Sequence, residues 1–167
     1  MIAGESVLHT LAEVSIAFAG FSGVVGVFGG GSALSEGERT LRVRLMILAS
    51  LGAFFGSLLP LALGQFDSVA SLVWYICCPA LVGFIVLFSM NVYRQTRALM
   101  SAGGYSRPWF APILYSISWS LALFLIGASF DILPGHSVYI VAIIWQLVLA
   151  SVQFLVLVLQ TKPRSSA

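Results

Sequence analysis

Charge is what this sequence has least of. Only 8% of its 167 residues are charged and 59% are hydrophobic, where soluble domains carry about 25% charged residues. The mean hydropathy is +1.02. A chain this apolar cannot cover a soluble surface with polar groups, so it reads as an integral membrane protein. The shortage excludes a free soluble enzyme, a disordered chain and a nucleic-acid binder that works through a basic face. Cysteine is nearly missing as well. Cys77 and Cys78 are adjacent, a spacing that strains a disulfide and matches no zinc motif. They read as small buried hydrophobes. No Walker loop, nucleophile elbow, His-Glu-x-x-His helix or Thr-Val-Gly-Tyr-Gly filter is present, and no cofactor is expected. Met1–Glu5 lacks a basic n-region, so no cleaved signal peptide is expected.

What the chain does have is apolar length. A bilayer core takes roughly 20 apolar residues per helix, and five runs qualify: about 8–28, 41–63, 69–92, 110–130 and 138–159. They form a single five-helix transmembrane domain, all-α. Gly29-Gly30-Gly31 ends the first run. Ser35 with Glu38 forms a capping box that starts the second helix ahead of its apolar stretch. Gly103-Gly104 closes the third, Ser106 before Pro108 opens the fourth, and Pro134-Gly135 turns into the fifth with Ser137 as the expected cap. Pro79 is expected to bend the third span.

The basic residues fall on one side. Arg39, Arg42 and Arg44 lie between spans one and two, Arg94, Arg97 and Arg107 between three and four, and Lys162 and Arg164 after five; these are all 8. The positive-inside rule then puts the N-terminus outside and the C-terminus in the cytoplasm, and an odd number of spans agrees. Trp74, Tyr75 and Tyr139 at the outer edge, with Tyr93 and Trp109 at the inner, read as interfacial anchors. The loops are too short for an extramembrane domain, and five spans do not divide into inverted repeats.

The first helix holds the chemistry. Glu5, His9 and Glu13 recur at i, i+4 and i+8, which puts them on one face. Glu13 falls roughly 6 Å inside the outer hydrocarbon edge, at about 1.5 Å per residue. An acid there is costly and should face protein or water. Ala17 and Gly20 continue its face as small residues. Ser15, Ala19, Ser22, Gly23, Gly26 and Gly30 mark the opposite side, as in a buried central helix packed closely on a neighbour. One reading makes Glu13, His9, Glu5, Ala17 and Gly20 the lining of an ion path. The other makes Glu13 a packing residue bonded to a neighbouring Ser, Trp or Gln. A third, weaker reading has His9 and Glu13 as metal ligands, completed by His136, Asp67, Asp131 or a second subunit.

Other polar signals sit in stripes. Gln146, Gln153 and Gln160 recur at heptad spacing in the fifth span, to bond a neighbouring helix or line a polar path. Gly52 and Gly56 give the second helix a packing stripe. Gly23, Gly26, Gly52 and Gly56 are together the expected contacts for self-association. Trp119 and Trp145 lie deeper than a belt position, and each indole N–H needs a partner. Glu5, Glu13, Asp67 and Asp131 are the only charges on the outer side. Around an oligomer they would form a negative mouth that concentrates cations.

The stretch Leu11-Ala12-Glu13-Val14-Ser15-Ile16-Ala17-Phe18-Ala19-Gly20-Phe21-Ser22-Gly23 resembles the first helix of small, uncharacterised multi-pass proteins of bacteria. The resemblance implies a bacterial inner membrane and no particular activity. The leading expectation is a homo-oligomeric membrane protein conducting cations or protons. The alternatives are an accessory subunit of a larger membrane complex and a metal-binding membrane protein. The bilayer, further copies of the chain and other membrane subunits are the expected partners, and nucleic acid is not.

Overall fold

Ser35 accepts a hydrogen bond at Oγ from the Glu38 backbone N–H, at 3.2 Å, and so opens the second helix at Glu36. This is the cap that the Ser35/Glu38 spacing predicts, and it lengthens the helix by more than a turn beyond its apolar run. The computed structural model describes residues 4–28, 35–66, 72–101, 111–130 and 132–159. They form five helices: α1 (Glu5–Phe28), α2 (Glu36–Leu63), α3 (Val73–Ser101), α4 (Ala111–Ser129) and α5 (Gly135–Leu159). All five are long and apolar enough to cross a membrane, consistent with a multi-pass membrane protein.

Two local expectations change. The fifth helix begins at Gly135, so Ser137 lies in its first turn and does not cap it. The Pro134 carbonyl does that work, accepting from the N–H groups of Ser137 and Val138; proline lacks a donor but keeps its acceptor. Pro79 and Pro60 both sit inside helices that run on past them. At the start of the chain, Gly4 takes a positive φ of 83°, which glycine adopts without a Cβ penalty, and its carbonyl accepts from Leu8 N–H. The punctuation expected at residues 29–31, 103–104, 106 and 108 lies outside the described residues, as do Asp67, Asp131, Trp109, Arg107, Lys162 and Arg164.

α2 and α5 form the centre, packed on each other. α1 lies against α2 and, less extensively, α5; α3 and α4 pair on the other flank. Successive helices run in opposite directions. The start of α1, the end of α2 and the starts of α3 and α5 therefore share one end, where Gly4 approaches Ile140 and Gly135 approaches Trp74. Arg39, Arg42, Arg44, Arg94 and Arg97 belong to the other end, where Gly37 meets Leu99. Among the described residues the basic groups thus gather at one end of the bundle, and Glu5, His9 and Glu13 lie toward the opposite one.

The main core fills the acidic end: Leu8, Leu61, Val73, Cys77, Cys78, Leu81, Leu125 and Ile143 pack around Tyr139. Tyr139 is fully buried, and its hydroxyl donates to the Gly56 carbonyl at 2.7 Å. It is a core residue, not the interfacial anchor its position near a helix start suggests. Tyr75 and Tyr93 are exposed, as anchors would be. A smaller core of Met46, Ala49, Ala150 and Leu157 lies toward the basic end. Serine hydroxyls within the helices mostly donate to the carbonyl four residues back; Ser15, Ser22, Ser50, Ser57, Ser118 and Ser151 all do so. Satisfied in this way, they act as small packing residues and not as a polar track.

Candidate functional site

Two polar regions stand out, one on the surface of α1 and one inside the bundle. Among the described side chains of α1 the buried ones are Leu8, Ala12, Ser15 and Ser22, which mark the side turned to the bundle, where α2 is the main neighbour and α5 a lesser one. His9, Glu13, Ala17 and Gly20 are exposed on the side turned away, and Glu5 is half-buried. The structure therefore keeps His9, Glu13, Ala17 and Gly20 together on one face, as their spacing implies, but that face is not covered by the chain's own helices. α1 is a flank of the bundle and not its central helix. Its small residues are divided differently from the expected two sides. Ser15 and Ser22 pack inward, while Gly23 is exposed, and a Cβ added at Gly20 or Gly23 would meet nothing within 4 Å. The side-chain position of Gly26 lies outside the described residues.

The glycines of α2 do a different job. A Cβ at Gly52 would overlap the ring of Phe84 from α3, and one at Gly56 would come within 2.5 Å of Ile143 Cδ1 from α5. Both positions are filled from within the chain. Close approach of helices needs small residues, and here it joins α2 to α3 and α5. Among the described residues no three or more His, Cys, Asp or Glu side chains gather as a metal site. His9 and Glu13 acquire no further ligand from within the described chain. His136 instead lies beside Trp74, with ring centroids 6.3 Å apart.

The interior region is one that sequence reasoning missed. Arg42, counted there only as a topology marker, is 5% exposed, and Glu38 is 9% exposed. Glu38 Oε1 accepts from Arg42 Nη2 at 2.6 Å and from Nε at 3.2 Å. Arg42 Nη1 donates to Gln153 Oε1 at 3.2 Å, tying α2 to α5. Charge-assisted bonds of this kind are about twice as strong as neutral ones, and here they satisfy a guanidinium held out of water. The i, i+4 spacing of Glu38 and Arg42 is visible in the sequence; the link to Gln153 is not. Gln153 bonds a neighbouring helix as its stripe suggests. Gln160 lies outside the described residues.

One heptad deeper, Gln146 is 1% exposed, and its Oε1 has no hydrogen-bond partner. Gln146 is one of the residues that line a partly open cavity of about 110 Å³ between α2, α3, α4 and α5. Arg42 and Gln153 line the cavity toward one end, with Met100 and Ala111 at the ends of their helices. Ser89, Ser118, Tyr93, Thr96 and Tyr115 contribute hydroxyls; Leu45, Ile85, Phe88, Leu114 and Leu149 contribute apolar wall. Trp145 Nε1 donates to Ser118 Oγ at 2.9 Å across α5 and α4, which settles one of the two deep indoles. Trp119 is exposed, 48%. Compared with protein-family models, curated proteins and solved structures, the chain matches none.

Proposed function

We propose that the protein is a homo-oligomeric membrane protein that conducts cations or protons, with Glu13 on the path, His9 and Glu5 at its mouth, and Ala17 and Gly20 along its wall. The observation that carries this reading is the outward placement of Glu13. It stands on the face of α1 that the chain leaves uncovered, two helical turns beyond Glu5, or about 12 Å along the axis. A carboxylate presented to hydrocarbon costs about 2.5–3.5 kcal/mol at mid-membrane on insertion scales, and less near the rim. A covered or hydrated position relieves that cost. The unfilled space at Gly20 and Gly23 lets a second backbone approach closely. Copies arranged around an axis would bring several Glu13 carboxylates together, and such a ring concentrates cations and repels anions.

With the basic end in the cytoplasm, the acidic end of α1 faces outward, and the membrane of this proposal is the bacterial inner membrane. Flux into proteoliposomes tests the reading. Wild type is expected to pass cations or protons well above empty liposomes. Glu13→Gln, which keeps size and hydrogen bonding but loses the ionisable charge, should lower that flux with assembly intact. If Glu13 serves packing, Gln is silent and Glu13→Ala costs stability without a specific loss of flux. Wild-type flux equal to that of empty liposomes across several ions and pH gradients would leave the accessory-subunit reading, in which an unlike chain covers the same face.

A further inference from the structure

At the basic end an open groove of about 550 Å³ runs between the start of α2 and the end of α3, apart from the α1 face. Its floor is apolar, from Leu41, Ala98 and Leu99, and Gly37 meets Leu99 where the two helices touch. Its rim carries one acid and one base, Glu36 and Arg44, both exposed. Glu38, in the same first turn of α2, is already bound to Arg42. Among the described residues Glu36 and Arg44 form no ion pair. The groove thus holds two opposite charges that are open to a ligand, with hydrocarbon beneath them.

Depth narrows the choice of ligand. The apolar run of α2 begins at Leu41, so Glu36 and Thr40 lie in the head-group layer and Arg44 lies on its hydrocarbon side. Glu36 and Arg44 are about 12 Å apart along the helix axis. Helical side chains lean toward the N-terminus and a long arginine stem snorkels toward water, so the Arg44 guanidinium is drawn back along the groove toward Glu36. From water inward the order is carboxylate, hydroxyl, guanidinium. A phospholipid with an ammonium beyond its phosphodiester has the complementary order, cation outside and phosphate inside. Guanidinium matches phosphate oxygens in a bidentate way. Thr40 adds an O–H, and Gln95, whose amide nitrogen donates one hydrogen to Asn91 Oδ1, keeps a second. An anionic head without a cation would meet the Glu36 carboxylate as a like charge. A quaternary ammonium would balance that carboxylate but donate no hydrogen bond to it.

We propose that this groove is a binding site for a zwitterionic phospholipid with a primary ammonium, a phosphatidylethanolamine, in the leaflet at the basic end. Its ammonium donates to Glu36, its phosphodiester accepts from Arg44, Thr40 and Gln95, and the link between them lies over Leu41 and Leu99. The site is formed within one chain, so it stands whether or not the α1 face conducts ions.

Three lipids with identical acyl chains test it on the full-length protein in detergent: phosphatidylethanolamine, phosphatidylcholine and phosphatidylglycerol. Binding is read by native mass spectrometry and by the saturable rise in thermal midpoint. Phosphatidylethanolamine is expected to bind about fivefold more tightly than either of the others, the effect of one exposed charge-assisted pair. Glu36→Gln should bring its affinity down to that of phosphatidylcholine and leave phosphatidylglycerol no weaker than before. Arg44→Gln removes the partner of the phosphate, which all three lipids share, and should weaken them together. Both residues are exposed, so the lipid-free midpoint should stay level in each variant, which separates a lost ligand from a lost fold. Equal affinity for phosphatidylethanolamine and phosphatidylcholine would overturn the proposal and leave only non-selective surrounding lipid. Preference for phosphatidylglycerol, a phosphatidylethanolamine preference unchanged by Glu36→Gln, or no saturable binding by any of the three would overturn it too.

Discussion

Arg42 shows how much a single residue can change its meaning between sequence and structure. In the sequence it is one of 8 basic groups marking a side of the membrane. In the structure it is a buried cation held by Glu38 and Gln153. Removing one partner of a buried pair leaves the other charge unpaired, at a cost of about 3–5 kcal/mol. Arg42→Ala and Glu38→Ala are therefore each expected to lower stability by that amount in denaturant or thermal unfolding. The double replacement by residues of similar volume, Arg42→Met with Glu38→Met, should be much milder, since it removes both charges together. Arg44, exposed on the same helix, should tolerate replacement by alanine within about 0.5 kcal/mol. The four-residue spacing of Glu38 and Arg42 is there to be seen in the sequence but reads there only as a cap and a topology marker, whereas Gln146 and Gln153 stand out by their heptad. The meeting of Arg42 with Gln153 spans 111 positions of chain, and no local pattern encodes a contact of that range. The unpaired Gln146 carbonyl was illegible for the same reason, because a missing partner depends on all the helices packed around it.

At the scale of helices, apolar length was the strongest signal. The five runs became five helices because each holds enough uninterrupted hydrocarbon and helix-forming sequence that Pro60 and Pro79 do not end them. Boundaries set by polar residues were less legible: Ser137 has a capping side chain, yet the carbonyl of Pro134 opens α5 earlier. Small-residue stripes were the most ambiguous pattern, since a glycine that meets the chain's own neighbour looks the same as one that meets another copy. Gly52 and Gly23 separate in the structure. A methyl group at Gly52 would overlap the Phe84 ring, which is itself stacked on Phe88. Gly52→Ala is thus expected to destabilise the folded chain by about 1–3 kcal/mol, as overpacking does. Phe84→Leu should recover part of that loss, a coupling that a double-mutant cycle measures. If Gly52→Ala is neutral in unfolding experiments, the close approach of α2 and α3 is not as the structure has it. The central role that the polar and small sides of α1 suggest was misread because a face uncovered within one chain and a face lining an interior carry the same residues.

For the whole molecule, the arrangement of the helices agrees with the distribution of charge. Antiparallel neighbours place every described arginine at one end of the bundle, away from Glu5, His9 and Glu13, with the larger core toward the acidic end. The proposed orientation follows from this partition through the positive-inside rule. A reporter fused after Ala167 should read as cytoplasmic and one at the N-terminus as external; two ends on the same side would remove one span from the membrane. The account of function rests on what covers α1. Among the described residues, Glu13, Ala17, Gly20 and Gly23 are exposed on that side, and the proposal assigns the cover to further copies of the same chain. Cysteine cross-linking in intact membranes tests that assignment most directly. Ala17→Cys and Gly20→Cys, oxidised in the native bilayer, are expected to give products that are multiples of the single chain, while Leu87→Cys, 69% exposed on α3, remains monomeric under the same conditions. Absence of any α1 cross-link, or a product joining α1 to an unlike chain, would contradict the account.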